Sequence, residues 1–98
     1  MRFEWDHNKN ETNKTKHNIS FEQAETVFDD KNAIYLYDST HSQYEDRFIV
    51  IGKEDNLRME ITVCHCYKGD NEEIVRIISA RRATKKEIKI YNSGGVEE

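Results

Sequence analysis

An α+β fold, with two helices ahead of a mostly antiparallel sheet and one helix after it, is what the sequence predicts, and three observations predict it. Two capping boxes, Ser20 with Gln23 and Thr84 with Glu87, each open a stretch whose apolar residues recur at helical spacing. Between them lie four runs rich in aliphatic and aromatic residues, separated by short polar turns. No proline, repeat or low-complexity stretch marks a boundary within the 98 residues, so 1–92 read as one domain and 93–98 as a flexible tail. Consecutive strands with tight connections give an antiparallel meander. The helices are expected on one sheet face, leaving the other free to be polar.

Each element has its own signal. Phe3-Glu-Trp5 alternates apolar residues with charge and reads as a short strand, after which Asp6 can cap a helix over residues 7–17. That helix has almost no apolar stripe: Asn8, Lys9, Asn10, Glu11, Thr12, Asn13 and Lys14 follow one another, so it is either weakly held or used as a surface. The second helix is better marked. Ile19 can staple against Ala24, Phe21, Ala24, Val27 and Phe28 share a face, and Asp29-Asp-Lys-Asn32 stops it. Strands follow at Ala33–Tyr37, at Arg47–Gly52, from Leu57 onward, and at Glu73–Ala80. The second of these is nearly continuous apolar, the mark of a central strand. In the third, Leu57, Met59, Ile61 and Val63 point one way, and Arg58, Glu60, Thr62 and Cys64 the other. The last helix, with Ala83 and Ile88 as its staple pair, runs to about Tyr91 and ends at Asn92-Ser-Gly-Gly95.

Composition narrows the functions. Hydrophobic residues make up 36% and charged residues 35%, which implies a compact core under a heavily charged surface. The longest apolar runs, such as Phe48-Ile-Val-Ile51, fall far short of the ~20 residues of a membrane span. Met1-Arg-Phe-Glu-Trp-Asp6 has no apolar segment of the kind a signal peptide needs, so a cytoplasmic location is expected. The net charge of −4 hides an asymmetry: residues 76–90 hold six basic residues against Glu87 alone, a net +5 that leaves −9 for the rest. A basic patch on an acidic body points to local attraction of an anion rather than general coating of nucleic acid. For Lys86 and Lys89 a solvated helix face is the simpler reading.

Cys64 and Cys66 would share a strand face about 7 Å apart, the wrong geometry for a bridge to each other. His41 and His65 could add nitrogen ligands for zinc, but Cys-x-Cys is not the usual ligand spacing and no second ligand pair follows. The sequence therefore predicts two small, partly buried thiols, no metal and no cofactor.

Arginine within Ile74-Val-Arg76-Ile-Ile-Ser-Ala80 is the sharpest local anomaly, since a guanidinium in a core strand is costly unless paired. Two readings stand. One is a structural ion pair with Glu45 or Glu60. The other is a cluster with Arg58 and Arg81, whose mutual repulsion an anionic ligand would relieve, arginine offering a planar fork of donors that matches phosphate. Such a grip can serve binding alone or RNA cleavage. Cleavage further requires a group to take the proton of the attacking 2′-hydroxyl and a group to protonate the leaving 5′-oxygen. Lys16-His17, His41 and Glu45 are the candidates, each of which alone is more often an ordinary surface residue.

The order of segments says more than any one of them. Phe3-Glu-Trp5-Asp6, Lys9, Asn13, Lys16-His17, Ile19-Ser-Phe21, Val27-Phe28-Asp29, His41-Ser42, Glu45-x-Arg47, Ile51-Gly52, Arg58, Arg76-Ile-Ile-Ser-Ala-Arg81, Ala83-Thr84, Glu87 and Tyr91 resemble, in combination, the BrnT family of bacterial type II toxins over residues 2–92. The resemblance implies a RelE-like toxin fold, a ribonuclease that arrests translation, and neutralisation by a BrnA-type antitoxin, a dimeric DNA-binding protein through which the complex would repress its operon. By position it implies catalytic roles for Lys16, His17, Glu45, Arg58, Arg76 and Arg81 and an RNA contact for Arg47, while the basic stretch adds Arg82 and Lys85 as expected RNA contacts. Two departures stand out: Asn18 replaces a common glycine after Lys-His, and the chain is acidic where RNA-cleaving toxins are usually basic. A non-catalytic binding module and a degenerate toxin kept as an antitoxin partner are the alternatives.

Overall fold

Alternation along the strands, combined with their pairing, decides which side chains share a face. The computed structural model describes residues 1–56 and 58–96. Its elements are β1 (Arg2–Glu4), α1 (His7–His17), α2 (Phe21–Glu25) continued by a 3-10 turn (Thr26–Asp29), β2 (Ile34–Tyr37), a 3-10 turn (Ser39–His41), β3 (Phe48–Lys53), β4 (Glu60–Lys68), β5 (Ile74–Arg82) and α3 (Lys85–Asn92). The five strands form one sheet in the order β1-β5-β4-β3-β2, in which β1 runs parallel to β5 and the remaining pairs are antiparallel.

The expected start signals act as caps. The Asp6 carboxylate accepts from the N–H groups of Asn8 and Lys9, and both capping boxes are complete. Asn18 takes the left-handed conformation that ends α1, with φ of 57°, and its N–H bonds the Lys14 carbonyl. Asparagine tolerates that conformation better than most residues, so the turn survives without glycine.

One sheet face carries the main core. Phe21, Ala24 and Val27 of the α2 segment, with Ile19 before it, pack on Val50, Ile61, Val63, Val75, Ile77 and Ala80. Gly52 lets β3 come close under this segment: a Cβ there would lie 2.8 Å from Val27 Cγ1 and 3.1 Å from Asp30 Oδ2. His65 also lies on this face, fully buried among the rings of Phe28, Tyr35, Phe48 and Tyr67. Burial pushes its imidazole below the usual histidine range, the Val63 carbonyl opposing in part.

α1 is held without an apolar stripe. Asn10 and Asn13, one turn apart, are its buried residues. The Asn13 amide donates to the carbonyls of Ile19 and Ala80, both at 2.8 Å, while its oxygen accepts from the Ala80 N–H at 3.1 Å. β1 pairs with β5 only at Ile74–Arg76, so farther along β5 the Asn13 side chain makes the two bonds a neighbouring strand would make. Asn10 accepts from the Phe21 N–H and donates to Glu22.

Three expectations are corrected. The helices do not share a face. Glu87 of α3 bonds Thr62 and Arg81, which alternate away from Ile61, Val63 and Ala80, so α3 covers part of the second face and Ile51 is fully buried beneath that side. The apolar run of β3 already called for cover on both sides. Second, Arg58 is not on a strand. It sits in the β3–β4 turn with φ of 52°, its N–H on the Glu54 carbonyl, beside Asp29, Asp30, Glu54 and Asp55. Leu57, read as the first residue of that strand, lies outside the described residues. Third, Arg76 bonds Glu4 of β1 at 2.8 Å rather than Glu45 or Glu60, because the parallel register sets Glu4 opposite it.

After α3, Ser93 bonds the Ile90 carbonyl, and the N–H groups of Gly94 and Gly95 bond those of Tyr91 and Ile90, closing the helix end. Glu97 and Glu98, the end of the expected tail, lie outside the described residues. Among the described residues no helix is long and apolar enough to cross a membrane.

Candidate active site

The second sheet face, away from α1 and α2, collects the sequence-predicted Glu45, Arg47, Arg76 and Arg81, and a bulge makes this possible. Arg76 and Arg81 are five residues apart, an odd spacing that would send them to opposite faces of a regular strand. The pairing jumps from Cys64↔Ser79 to His65↔Ile77, which leaves Ile78 as an extra residue. Arg76 then pairs beside Cys66 and Arg81 beside Thr62, on one face.

At the end away from α3, Glu45 is the hub. Lys68 donates to one of its oxygens at 2.8 Å and Arg47 Nε to the other at 3.3 Å. The loop that presents Glu45 is tied at its neck: the Asp38 N–H bonds the Arg47 carbonyl at 2.9 Å, and the Arg47 N–H bonds Ser42 Oγ at 2.9 Å. Arg76 stands on the adjoining strand with its salt bridge to Glu4 partly open to solvent. Cys66 lies beneath this group. Burial pushes its thiol up and Glu45 adds to that, while Lys68, Arg47 and Arg76 oppose, so all four charges surround it. Cys64 is pushed up too, by burial and then by Asp38. Neither thiol is set up as a nucleophile.

Two carboxylates on this side, Glu45 and Glu87, are both held below the usual range, with different partners. Glu45 is held below the usual range, first by the Lys68 hydrogen bond, with partial burial opposing and Arg47 assisting. Burial pushes Glu87 upward, but Arg81, the Thr84 N–H and Thr62 outweigh it and hold it at about 2. Arg81 grips Glu87 with both ends of its fork, at 2.7 and 3.0 Å, which docks α3 on the sheet.

The other predicted residues are elsewhere. Lys16 and His17 are exposed at the end of α1, one turn beyond Asn13, and among the described residues no hydrogen bond or ion pair joins them to Glu45, Arg76 or Arg81. Arg82 pairs opposite core-facing Ile61 and so falls on the α1–α2 side, exposed. Lys85 opens α3. His65 is separated from Cys64 and Cys66 by the sheet, and no group of three His, Cys, Asp or Glu among the described residues could hold a metal. Sequence reasoning missed Lys68 and Glu4. The signal for Lys68 was period two: Cys64, Cys66 and Lys68 continue one face. Glu4 needed the parallel β1–β5 register, which no local pattern contains.

Partly exposed cations on adjoining strands around one carboxylate can bind a phosphate diester and offer a base beside it. Comparison with known proteins agrees in class. Residues 5–87 match the model of a family described as the ribonuclease toxin BrnT of type II toxin–antitoxin systems. Among solved structures, the chain is similar to the crystal structure of the Brucella abortus ribonuclease toxin BrnT, with 28% identity and a TM-score of 0.64 over 87% of this chain and 99% of that one. No curated protein matches.

Proposed function

The chain belongs to the BrnT family of ribonuclease toxins of type II toxin–antitoxin systems, and from that premise we propose that the sheet face carrying Glu45, Arg47, Lys68 and Arg76 is where it cleaves RNA. The observation behind this reading is the convergence of Lys68 and Arg47 on the two oxygens of Glu45, with Arg76 on the next strand. In the ground state Glu45 satisfies Lys68 and Arg47, and Glu4 satisfies Arg76. A phosphate diester entering the site takes over donors from Lys68, Arg47 and Arg76, and this leaves Glu45 a better base than when doubly bonded. Glu45 then accepts the 2′-hydroxyl proton, the 2′-oxygen attacks phosphorus, and the P–O5′ bond breaks. Lys68 protonates the departing 5′-oxygen, and a 2′,3′-cyclic phosphate remains. Charge building on the phosphoryl oxygens is met by the guanidinium groups, the kind of term that usually dominates such catalysis.

On this reading three cations supply what a metal would, Glu45 rather than His17 moves the first proton, and Arg81 acts by fixing α3 and the end of the site. The protein works in the cytoplasm and inhibits translation by cutting RNA. A BrnA-type DNA-binding antitoxin neutralises it and provides its only link to operon DNA.

Incubation of the pure protein with RNA in EDTA tests this. Cleavage to cyclic-phosphate ends is expected, falling about 10²–10³-fold in Glu45→Gln and in Arg76→Ala, with circular dichroism unchanged. RNA that stays intact with the unsubstituted protein, while still binding it, would favour the non-catalytic module. Cleavage that needs added magnesium would overturn metal independence, and cleavage indifferent to both substitutions would remove the site from this face.

A further inference from the structure

α3 carries positive charge where its own physics disfavours it. Lys85 and Lys86 open the helix, at the end where the aligned backbone dipoles already leave positive charge. Lys89 follows one turn on, four residues from Lys85 and three from Lys86, so like charges meet along one face. The helix has one acid, Glu87, and it is engaged by Arg81, Thr62 and Thr84. Among the described residues Lys85 and Lys89 have no ion pair. The three lysines line a groove of about 920 Å³ together with Ile90, Ser93 and Val96.

We propose that this groove is a second contact for the RNA backbone, holding phosphates that flank the cleaved bond. The proposal rests on the RNA reading of the neighbouring sheet face and extends it to the helix. Position favours RNA over an acidic peptide: α3 lies on the same face of the sheet as Glu45, Arg47 and Arg76, joined to it through Glu87 and Arg81, so one strand can reach both. Lys85 and Lys89 are separated along the axis by about 6 Å at 1.5 Å per residue, comparable to the step between neighbouring phosphates of an extended strand. The anion sits on the ammonium groups, not on the helix end, because the Thr84 hydroxyl and Glu87 complete the cap. Ile90 and Val96 offer an apolar floor for sugar edges.

The test separates binding from cleavage. A fluorescein-labelled single-stranded 12-mer with 2′-O-methyl riboses, which cannot be cleaved, is titrated by anisotropy across a salt series against the Lys85→Gln/Lys89→Gln variant. A Lys9→Gln/Lys31→Gln variant, equal in charge and remote from the groove, serves as control. Affinity is expected to fall about tenfold, and the slope of log K against log salt to shrink by about 1.4, roughly 0.7 per lost contact on a single strand. With cleavable RNA, KM should rise and kcat stay within twofold. An unchanged slope, or the same loss in the control pair, would overturn the proposal. So would retained RNA binding with lost binding of a poly-glutamate peptide, which would make the groove a protein contact. Should the unsubstituted protein show the groove-dependent slope yet cleave no RNA, the cleavage reading fails while the groove stands.

Discussion

At the residue scale, the telling side chains are amides as much as charges. Asn13 makes three hydrogen bonds while buried, two of them to the backbone of Ala80, and so completes the sheet edge where β1 stops. Truncating it leaves an N–H and two carbonyls unpaired in a dry site, which costs about 1–3 kcal/mol for each group that stays unsatisfied. Asn13→Ala is therefore expected to destabilise the protein by about 2–4 kcal/mol, read from urea unfolding. A loss under about 0.5 kcal/mol, the size of an ordinary surface change, would show that α1 is held by something else. Neither asparagine advertises itself in the sequence, where both sit in a run of polar residues. Only Asn13 was picked out there, and then only as part of the family pattern.

At the element scale, β5 depends on one extra residue. Ile78 lets Val75, Ile77 and Ala80 face the core while Arg76 and Arg81 share the opposite face. Deleting Ile78 leaves Arg76 and Arg81 four residues apart, so regular pairing keeps both on the second face and keeps Val75, Ile77 and Ala80 on the core, losing only the local bend and twist of the bulge. The deletion is expected to retain cooperative folding, seen as a sharp thermal transition. Ile78→Ala, which keeps the count, should retain both fold and RNA cleavage. A deletion variant that loses its thermal transition would show that the bend of the bulge, and not only the residue count, is needed to hold the strand. The strand itself was legible in the sequence from its β-branched residues. The bulge was not, because pairing with Cys64 and His65 defines it.

At the scale of the molecule, the sheet is covered on both sides, and α3 holds its second face through one carboxylate. Glu87 has a folded pKa of about 2 against an ordinary 4.5. A depressed carboxylate contributes stability that is complete above the unfolded value, near 4.5, and is lost as pH falls toward 2. Glu87→Gln is expected to cost about 2 kcal/mol at pH 7, discounted because Arg81 is partly exposed, and to flatten the stability profile between pH 4.5 and 3. Urea midpoints over that range check it. A variant profile parallel to the parent's would mean that the Arg81–Glu87 pair contributes no linkage. Tyr91 ties the same helix down independently: its hydroxyl donates to Asp30 at 2.7 Å, and burial followed by that bond raises its pKa to about 12.

The sequence by itself determined the class of fold, both capping boxes, the capped start of α1, the strand runs, and the pattern that resembles BrnT toxins. Each of these is written in residues near one another in the chain, where spacing and propensity act. Tertiary structure alone decided that α3 crosses to the second face, that Arg76 meets Glu4, and that Lys68 joins Glu45. Those outcomes depend on strand order, register and a bulge. Partners distant in the chain set all three, so no local window contains them.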